Sequence, residues 1–365
     1  MRPVQPSPPA PALGERLLGA LVRHYRIGEP MACEPVTEGL LNRGYRIVTS
    51  RGRYFLKHHL DGDPAAIARQ HRATVRLGAL GLPVVPPVQS PDGDTVTVLG
   101  DRCFTLHPWV EGEHRNGGEL SRAQSRRLGA LLGRVHRSLE RVMAGLAQQP
   151  SQPGEHAGST GADVPPGGTP APQPSADPQQ THELIDDLLQ RVRARRPPDA
   201  FDLLSEYRLL ERRRLLREHA HRRPAAGSEP TTGWVHGDFH PLNLLWRPGP
   251  VEPVAIVDWD RLGIQPRAEE AVRAAAIFFV RPDGTLPLDK VRAYARAYRA
   301  AAGADAQELA AAVHRVWWER LNDFWMLRWR YQLGDHRVDD QFPAQSALVV
   351  WWTHRYETVR QAFCC

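Results

Sequence analysis

The sequence predicts an α+β protein of two lobes, a small N-terminal lobe with an antiparallel sheet and a helix, then a larger, mainly helical C-terminal lobe. Three observations carry that expectation. Short runs of strand-forming residues broken by Gly and Pro crowd the first 110 residues. Apolar positions recur at helical spacing through most of the chain after residue 120. At 365 residues the chain is too long for one ordinary small domain and long enough for two lobes.

Met1 to Ala12 is Pro-rich without an apolar centre, so residues 1–12 read as a disordered tail rather than a signal peptide. The small lobe then spans residues 13–107. Val36-Thr-Glu-Gly-Leu-Leu-Asn-Arg-Gly-Tyr-Arg-Ile47 reads as a hairpin in which Gly39 and Gly44 let backbone approach phosphates, with Asn42 near the turn. Arg53-Tyr-Phe-Leu-Lys57 is an apolar run carrying one of only two lysines in the chain. Helical spacing follows from about Pro64 to Ala79, then a second hairpin from Thr95–Leu99 and Cys103–His107.

Residues 108–112, opened by Pro108-Trp109-Val110, link the lobes, and residues 113–365 form the second. Ser121-Arg-Ala-Gln124 is a capping box opening a helix with Leu128, Leu131, Leu132, Val135 and Leu139 on one face, and His136 reads as a core histidine. Residues 147–180 hold 8 prolines, 5 glycines and no Lys or Arg; such a segment cannot bury enough surface to offset ordering entropy and is expected as a flexible insertion. Helices are expected at about 182–196 and 202–222. After a polar link, Leu242–Trp246 and Val254–Val257 read as a hairpin around Pro248-Gly-Pro250. Further helices are expected at 267–280, 287–302, 306–333 and 343–362, with Lys290 exposed and most of the tryptophan belt of the third in the core.

The chemistry concentrates around that short hairpin. In His236-Gly-Asp-Phe-His-Pro-Leu-Asn243, Asp238 precedes Asn243 by five residues, and Asp258 ends the next apolar run. This spacing fits a kinase catalytic loop, in which the first Asp receives the proton of the substrate hydroxyl while the Asn and the later Asp hold Mg²⁺ against the phosphates. A binuclear metal hydrolase would need further Asp-x-His and Gly-Asn-His elements, which the sequence lacks. Polar turn residues around a purely structural hairpin are the plainer alternative.

The two motifs resemble those of the aminoglycoside phosphotransferase and choline kinase superfamily of protein-kinase-like enzymes, nearest to its homoserine-kinase-like and spore-coat-type members. That family writes its catalytic loop as H-G-D-x-x-x-x-N and its second motif as an apolar pair, then D-W or D-F and an acidic residue. Both stand here, at 236–243 and 256–260, and the resemblance covers roughly residues 30–145 and 182–362. It implies a protein-kinase-like fold, ATP and Mg²⁺ as cofactors, and a small-molecule hydroxyl acceptor of aminoglycoside, choline or homoserine type. It implies Asp238 and His236 in catalysis and Asn243, Asp258 and Asp260 at the metal. Lys57 would lie on the α/β-phosphates, Gly39 and Asn42 in the covering loop, and the backbone of Pro108, Trp109 and Val110 at adenine. The family's helix glutamate, which pairs with the lysine, has no counterpart here. Gln70 stands closest and could accept a hydrogen bond from Lys57 without balancing its charge. A peptide kinase and a catalytically weak nucleotide-binding pseudokinase are the alternative functions.

Composition narrows the partners. The net charge of +6 is nearly all arginine, interleaved with acids in its densest stretch, Arg191 to Arg223, and no nucleic-acid module accompanies it. Cys33, Cys103, Cys364 and Cys365 show no metal-ligand spacing and suggest a reducing cytoplasm. Neither nucleic acid nor membrane is expected as a partner, and the oligomeric state is read as monomer or homodimer.

Overall fold

In the computed structural model, which describes residues 12–36, 42–147, 175–225, 230–249 and 252–365, helix α1 (Glu15–Tyr25) leads into strands β1 (Pro30–Val36), β2 (Arg43–Thr49) and β3 (Gly52–His59). Helix α2 (Pro64–Ala79) separates these from β4 (Thr97–Leu99) and β5 (Arg102–Pro108). Then come α3 (Arg122–Ala147), α4 (Pro178–Ala194), α5 (Ala200–His219), β6 (Thr232–Val235), β7 (Leu244–Leu245), β8 (Ala255–Ile256) and β9 (Gly263–Pro266). Helices α6 (Arg267–Phe279), α7 (Leu288–Ala302), α8 (Ala306–Asn322), α9 (Trp325–Arg328), α10 (Phe342–His354) and α11 (Tyr356–Cys364) complete the chain. This is the expected α+β, protein-kinase-like fold.

The chain divides into two units. The first contains Met1–Arg115, Ser138–Leu146 and Leu242–Leu262, and the second contains the rest. An antiparallel sheet of order β1-β2-β3-β5-β4 builds the first. Side chains alternate across it with the strand period of two. Tyr45, Ile47, Leu56, Phe104 and Leu106 pack with Leu21, Val22 and Tyr25 of α1 into one buried cluster. Lys57, His59, Thr105 and His107 point to the opposite face, where His71 of α2 meets the His107 ring edge-on at 5.6 Å. The register pairs Lys57 with Gly44 on one side and Thr105 on the other. A Cβ at Gly44 would stand 2.8 Å from the Phe55 ring, so a larger residue beside the lysine requires that ring to shift. Asp63 caps α2 by accepting from the Ala65 and Ala66 amides, with Pro64 in the first turn. The hairpin of β7 and β8 belongs to this unit, where Ile256 bridges to Val84 and the Val257 amide donates to the Asn243 carbonyl at 3.0 Å.

The second unit is helical apart from the β6–β9 pair. Its core gathers Leu128, Leu131, Leu132 and Val135 of α3, Phe278 and Phe279 of α6, Tyr294 and Tyr298 of α7, and Trp317, Trp318 and Leu321 of α8. Most of the tryptophan belt is therefore core, as expected.

Several local expectations need correction. Helix α1 was not anticipated; it follows the Pro-rich start and its N-cap Gly14 offers no side-chain cap. The single helix expected over 306–333 breaks after Asn322, because the extended Asp323 turns its carboxylate onto the Trp325 amide at 3.0 Å and competes with the helical bonding pattern. The chain resumes as α9 and one π-helical turn, Trp329–Leu333. The helix expected over 343–362 is divided at Arg355, next to Thr353, whose hydroxyl bonds back to the Val349 carbonyl. Lys290 is half-buried rather than exposed, donating to the carbonyls of Gly117 and Gly118 at 3.0 Å each. The expected tail at 1–12 and insertion at 147–180 fall almost wholly outside the described residues, but α4 begins at Pro178 and the Ala176 carbonyl accepts the Trp318 indole N–H. No helix among the described residues is long and apolar enough to cross a membrane.

Candidate active site

The Lys57 ammonium lies 2.6 Å from Asp258 Oδ1 and 2.7 Å from Asp260 Oδ2. Lys57 reaches this place because the buried half of β3 directs it off the sheet face, leaving its side chain only 11% exposed. Asp258 follows β8 and adopts left-handed backbone, φ 60° and ψ 66°, a conformation that a non-glycine residue holds only when its surroundings impose it. Its side chain stays 43% exposed. Asp260 sits two residues on, in a 3-10 turn from Trp259 to Arg261 that brings its carboxylate back to the lysine.

Asp260 is bonded from two further elements. Asn42 Nδ2 donates to Asp260 Oδ2 at 2.6 Å, while Asn42 Oδ1 accepts from the Leu60 amide. Gln70 Nε2 donates to the Asp260 carbonyl at 3.0 Å. The expected contact between Gln70 and Lys57 is thus replaced by one between Gln70 and the aspartate turn. The two carboxylates accept from the lysine ammonium, and the Gln70 amide donates to a main-chain carbonyl instead.

Charge follows from this packing. Burial works against a charged Lys57, but Asp258 and Asp260 overcome it and hold the ammonium above the usual lysine range. Burial raises the Asp260 carboxyl and Asp258 adds to it, against Lys57 and Asn42. One ammonium facing two carboxylates leaves a local charge of −1. That surplus, with Asp258 open to solvent, fits a divalent cation bound by oxygen ligands. Asn243, expected as a further ligand, is buried at the start of β7 and is tied to Val257 through its carbonyl. Behind the lysine, burial pushes His59 and His71 down to about 3 and His107 to about 4, so this face of the sheet carries neutral imidazoles.

The catalytic-loop motif is held in the second unit. Gly237 has φ +84°, a left-handed turn open to glycine at little steric cost, and it separates the fully buried His236 from the half-buried Asp238. The Asp238 amide donates to His236 Nδ1 at 3.2 Å, and Asp238 Oδ2 lies 3.6 Å from His240 Nε2. Behind them is a buried chain that sequence reasoning missed. Glu270 of α6 accepts from the Gly237 amide and from His136 Nε2 (2.6 Å), and His136 Nδ1 meets the Tyr298 hydroxyl at 3.1 Å. Burial would raise the Glu270 carboxyl, but the His136 hydrogen bond, the His136 and His236 rings and the Gly237 amide bring it below the usual range. The available signal was a glutamate amid alanines on a helix; Glu269 beside it offered an equal one and only three-dimensional proximity separates them.

The remaining expected residues divide. Trp109 is half-buried under the Arg46 guanidinium, and its amide donates to the Arg53 carbonyl, so that donor is already engaged. Pro108 ends β5 and Val110 follows it half-buried. Gly39 lies outside the described residues.

Comparison with known proteins bears on this geometry. Residues 32–304 match the sequence model of the phosphotransferase enzyme family. A homoserine kinase of Hyphomonas neptunium is 29% identical over 133 residues, which is 35% of this chain and only 38% of that relative's length. Two solved structures share the fold at 15% identity. A spectinomycin phosphotransferase in complex with ADP and spectinomycin superposes with a TM-score of 0.62, covering 95% of this chain and 100% of its own. An amicoumacin kinase in complex with AMP-PNP and Ca²⁺ gives 0.56, covering 95% and 94%.

Proposed function

Because the chain belongs to the phosphotransferase enzyme family, we propose that it transfers the γ-phosphoryl group of ATP to a hydroxyl of a small metabolite or natural product. The observation that carries this reading is Lys57, a buried cation held against the carboxylates Asp258 and Asp260. Phosphoryl transfer asks little covalent chemistry of a protein; it asks for an oriented acceptor oxygen and for positive charge at the phosphate oxygens. Asp238 takes the proton of the acceptor hydroxyl, with His236 shaping the loop that presents it. Lys57 neutralises the α/β-phosphates, and backbone groups of Pro108, Trp109 and Val110 hold adenine, with the Trp109 amide left to Arg53. Mg²⁺ bound by Asp258 and Asn243 would supply further neutralisation of phosphate charge.

The acceptor is an aminoglycoside-, choline- or homoserine-like alcohol. One observation favours a second reading, a nucleotide-binding pseudokinase: α2 brings glutamine where a lysine-pairing glutamate is expected, and that glutamine is bonded elsewhere. A coupled ADP-release screen with aminoglycosides, choline, homoserine, sugars and peptides separates them. Acceptor-dependent ADP release supports the phosphotransferase, whereas nucleotide binding with no ADP formed across the panel supports the pseudokinase. Release with peptides alone would point to a peptide kinase.

A further inference from the structure

The 3-10 turn that follows α5, Ala220–Arg222, and the middle of α8 wall a cavity of about 320 Å³. Its lining includes His221, Arg222, Arg223, His314 and Arg315. We infer that this cavity binds the phosphate group of a small organic phosphate, with Arg222 as the central donor and Arg315 beside it. All five residues belong to the second unit. None has a part in the phosphotransfer reading above, on which the inference does not rest.

Helical spacing puts Ala311, His314 and Arg315 on one face of α8. The Arg222 guanidinium lies 4.5 Å from the centroid of the Trp317 ring and 3.9 Å from that of Tyr356. Trp317 is fully buried, and the His314 ring stacks on it at 5.6 Å while its Nδ1 meets the Tyr356 hydroxyl at 2.8 Å. The bed under the arginine is therefore aromatic and held by its own packing. It attracts the cation without neutralising it. Burial, and then the Arg222 charge, lower the His314 imidazole below its usual range, so the bed stays uncharged. Arg222 is half-buried and hydrogen-bonds the Tyr356 hydroxyl. Among the described residues no carboxylate lies within ion-pair distance of it.

The other two arginines are compensated to different degrees. Arg223 is tied down, donating to Asp177 at 3.1 Å and to the hydroxyl and carbonyl of Ser175. Arg315 Nε stands 3.7 Å from Glu269 Oε1, an ion pair too long for a direct hydrogen bond. Three guanidiniums against two carboxylates leave a charge of +1, and it falls on Arg222. The planar fork of a guanidinium matches the oxygens of a phosphate, and bonds between two charged partners are the stronger kind. Ala311 and the buried Pro224, also in the lining, offer an apolar wall to the organic part of the ligand. The volume stands at the small end of metabolite-sized sites. A bare ion would leave that wall unused, which favours an organic phosphate over free phosphate.

The test uses the full chain and reads the site directly. Phenylglyoxal labels arginines, and peptide mass spectrometry follows Arg222 and Arg315 against the exposed Arg292 of α7. The labelling is run with phenyl phosphate, with inorganic phosphate, or with the uncharged benzyl alcohol. Saturating phenyl phosphate is expected to slow labelling of Arg222 about tenfold and of Arg315 about threefold, with Arg292 unchanged. Inorganic phosphate at the same concentration should protect Arg222 about threefold less. Arg222→Gln removes the charge, and Arg222→Lys keeps the charge but loses the fork. The phenyl phosphate concentration that half-protects Arg315 should rise about tenfold in the first and about threefold in the second. Arg222 labelled as fast with phenyl phosphate as without it overturns the inference. So does protection by benzyl alcohol equal to that by phenyl phosphate, or an unmoved half-protection concentration in a folded Arg222→Gln. Equal protection by the two phosphates overturns the organic part of the assignment. Should Arg222→Gln fail to fold, Arg222→Lys and the labelling of the parent still decide.

Discussion

Replacing Glu270 is the most informative perturbation of the second unit, because its carboxylate is fully enclosed and serves two donors at once. Glu270→Ala removes the acceptor of the part-buried Gly237 amide and of the fully buried His136 Nε2–H. A donor left without a partner costs about 1–3 kcal/mol, so the two together should cost about 2–6 kcal/mol, overlapping the range for breaking a buried charged interaction. Glu270→Gln should be milder. Its carbonyl can still accept from Gly237, and the His136 ring can exchange tautomers because the Tyr298 hydroxyl both donates and accepts. That variant should lose about 1 kcal/mol. The folded-state carboxyl lies below its ordinary value, so its contribution is present above the unfolded carboxyl range near pH 4.3 and disappears as pH falls through the folded value. The gap between parent and Glu270→Gln should therefore narrow on acidification below about pH 4. Urea unfolding followed by tryptophan fluorescence reads all three proteins, since Trp317, Trp318 and Trp352 are buried in this unit. Glu270→Ala within about 0.5 kcal/mol of the parent, the scatter of ordinary surface substitutions, would refute the brace. A Glu270→Gln variant less stable than Glu270→Ala would refute the hydrogen-bond accounting.

Three further outcomes are expected. Asp258→Ala should abolish the Mg²⁺ dependence of AMP-PNP binding more completely than Asp260→Ala; the reverse ranking in a Mg²⁺ titration would mean the metal carboxylate is two residues later. Between pH 6.5 and about 4 the unfolded chain binds protons that neutral His59, His71 and His107 refuse, so stability should fall with pH by roughly 1.4 kcal/mol per unit for each histidine, and an unfolding midpoint flat from pH 7 to 5 would contradict it. Gly237→Ala forces a Cβ into left-handed backbone at φ +84° and should cost about 1–2 kcal/mol as well as turnover, so a variant of parental stability would show that the loop relaxes freely.

What could be seen in the sequence and what could not divides by distance along the chain. The His236–Asn243 run and the Asp258 that follows are local, and so is the breaker-bounded hairpin between them. Lys57 stood out through composition alone, as a rare lysine inside an apolar strand. The pairing of Lys57 with Asp258 joins residues 201 apart, and no pattern in either segment specifies it. Gln70 looked like the replacement for a glutamate because helix position was the only guide; its actual partner is a main-chain carbonyl, which carries no sequence signature. Helix α8 ends at Asn322 although apolar spacing runs on through Trp325 and Trp329, because one aspartate's affinity for a backbone amide outweighs a periodicity that still reads as helical. The Glu270–His136 bond spans 134 residues and was hidden for the same reason as the lysine pair.

The most direct test of phosphoryl transfer to a small-molecule alcohol follows label from [γ-³²P]ATP into the acceptors of the ADP-release panel, with the parent protein and Asp238→Asn side by side. The account predicts labelled product from at least one hydroxylated small molecule, a fall in turnover of about 10²–10⁴-fold in Asp238→Asn, and nearly unchanged nucleotide affinity. Transfer by Asp238→Asn at the parental rate, or no label in any small-molecule alcohol while ATP is bound, would contradict it.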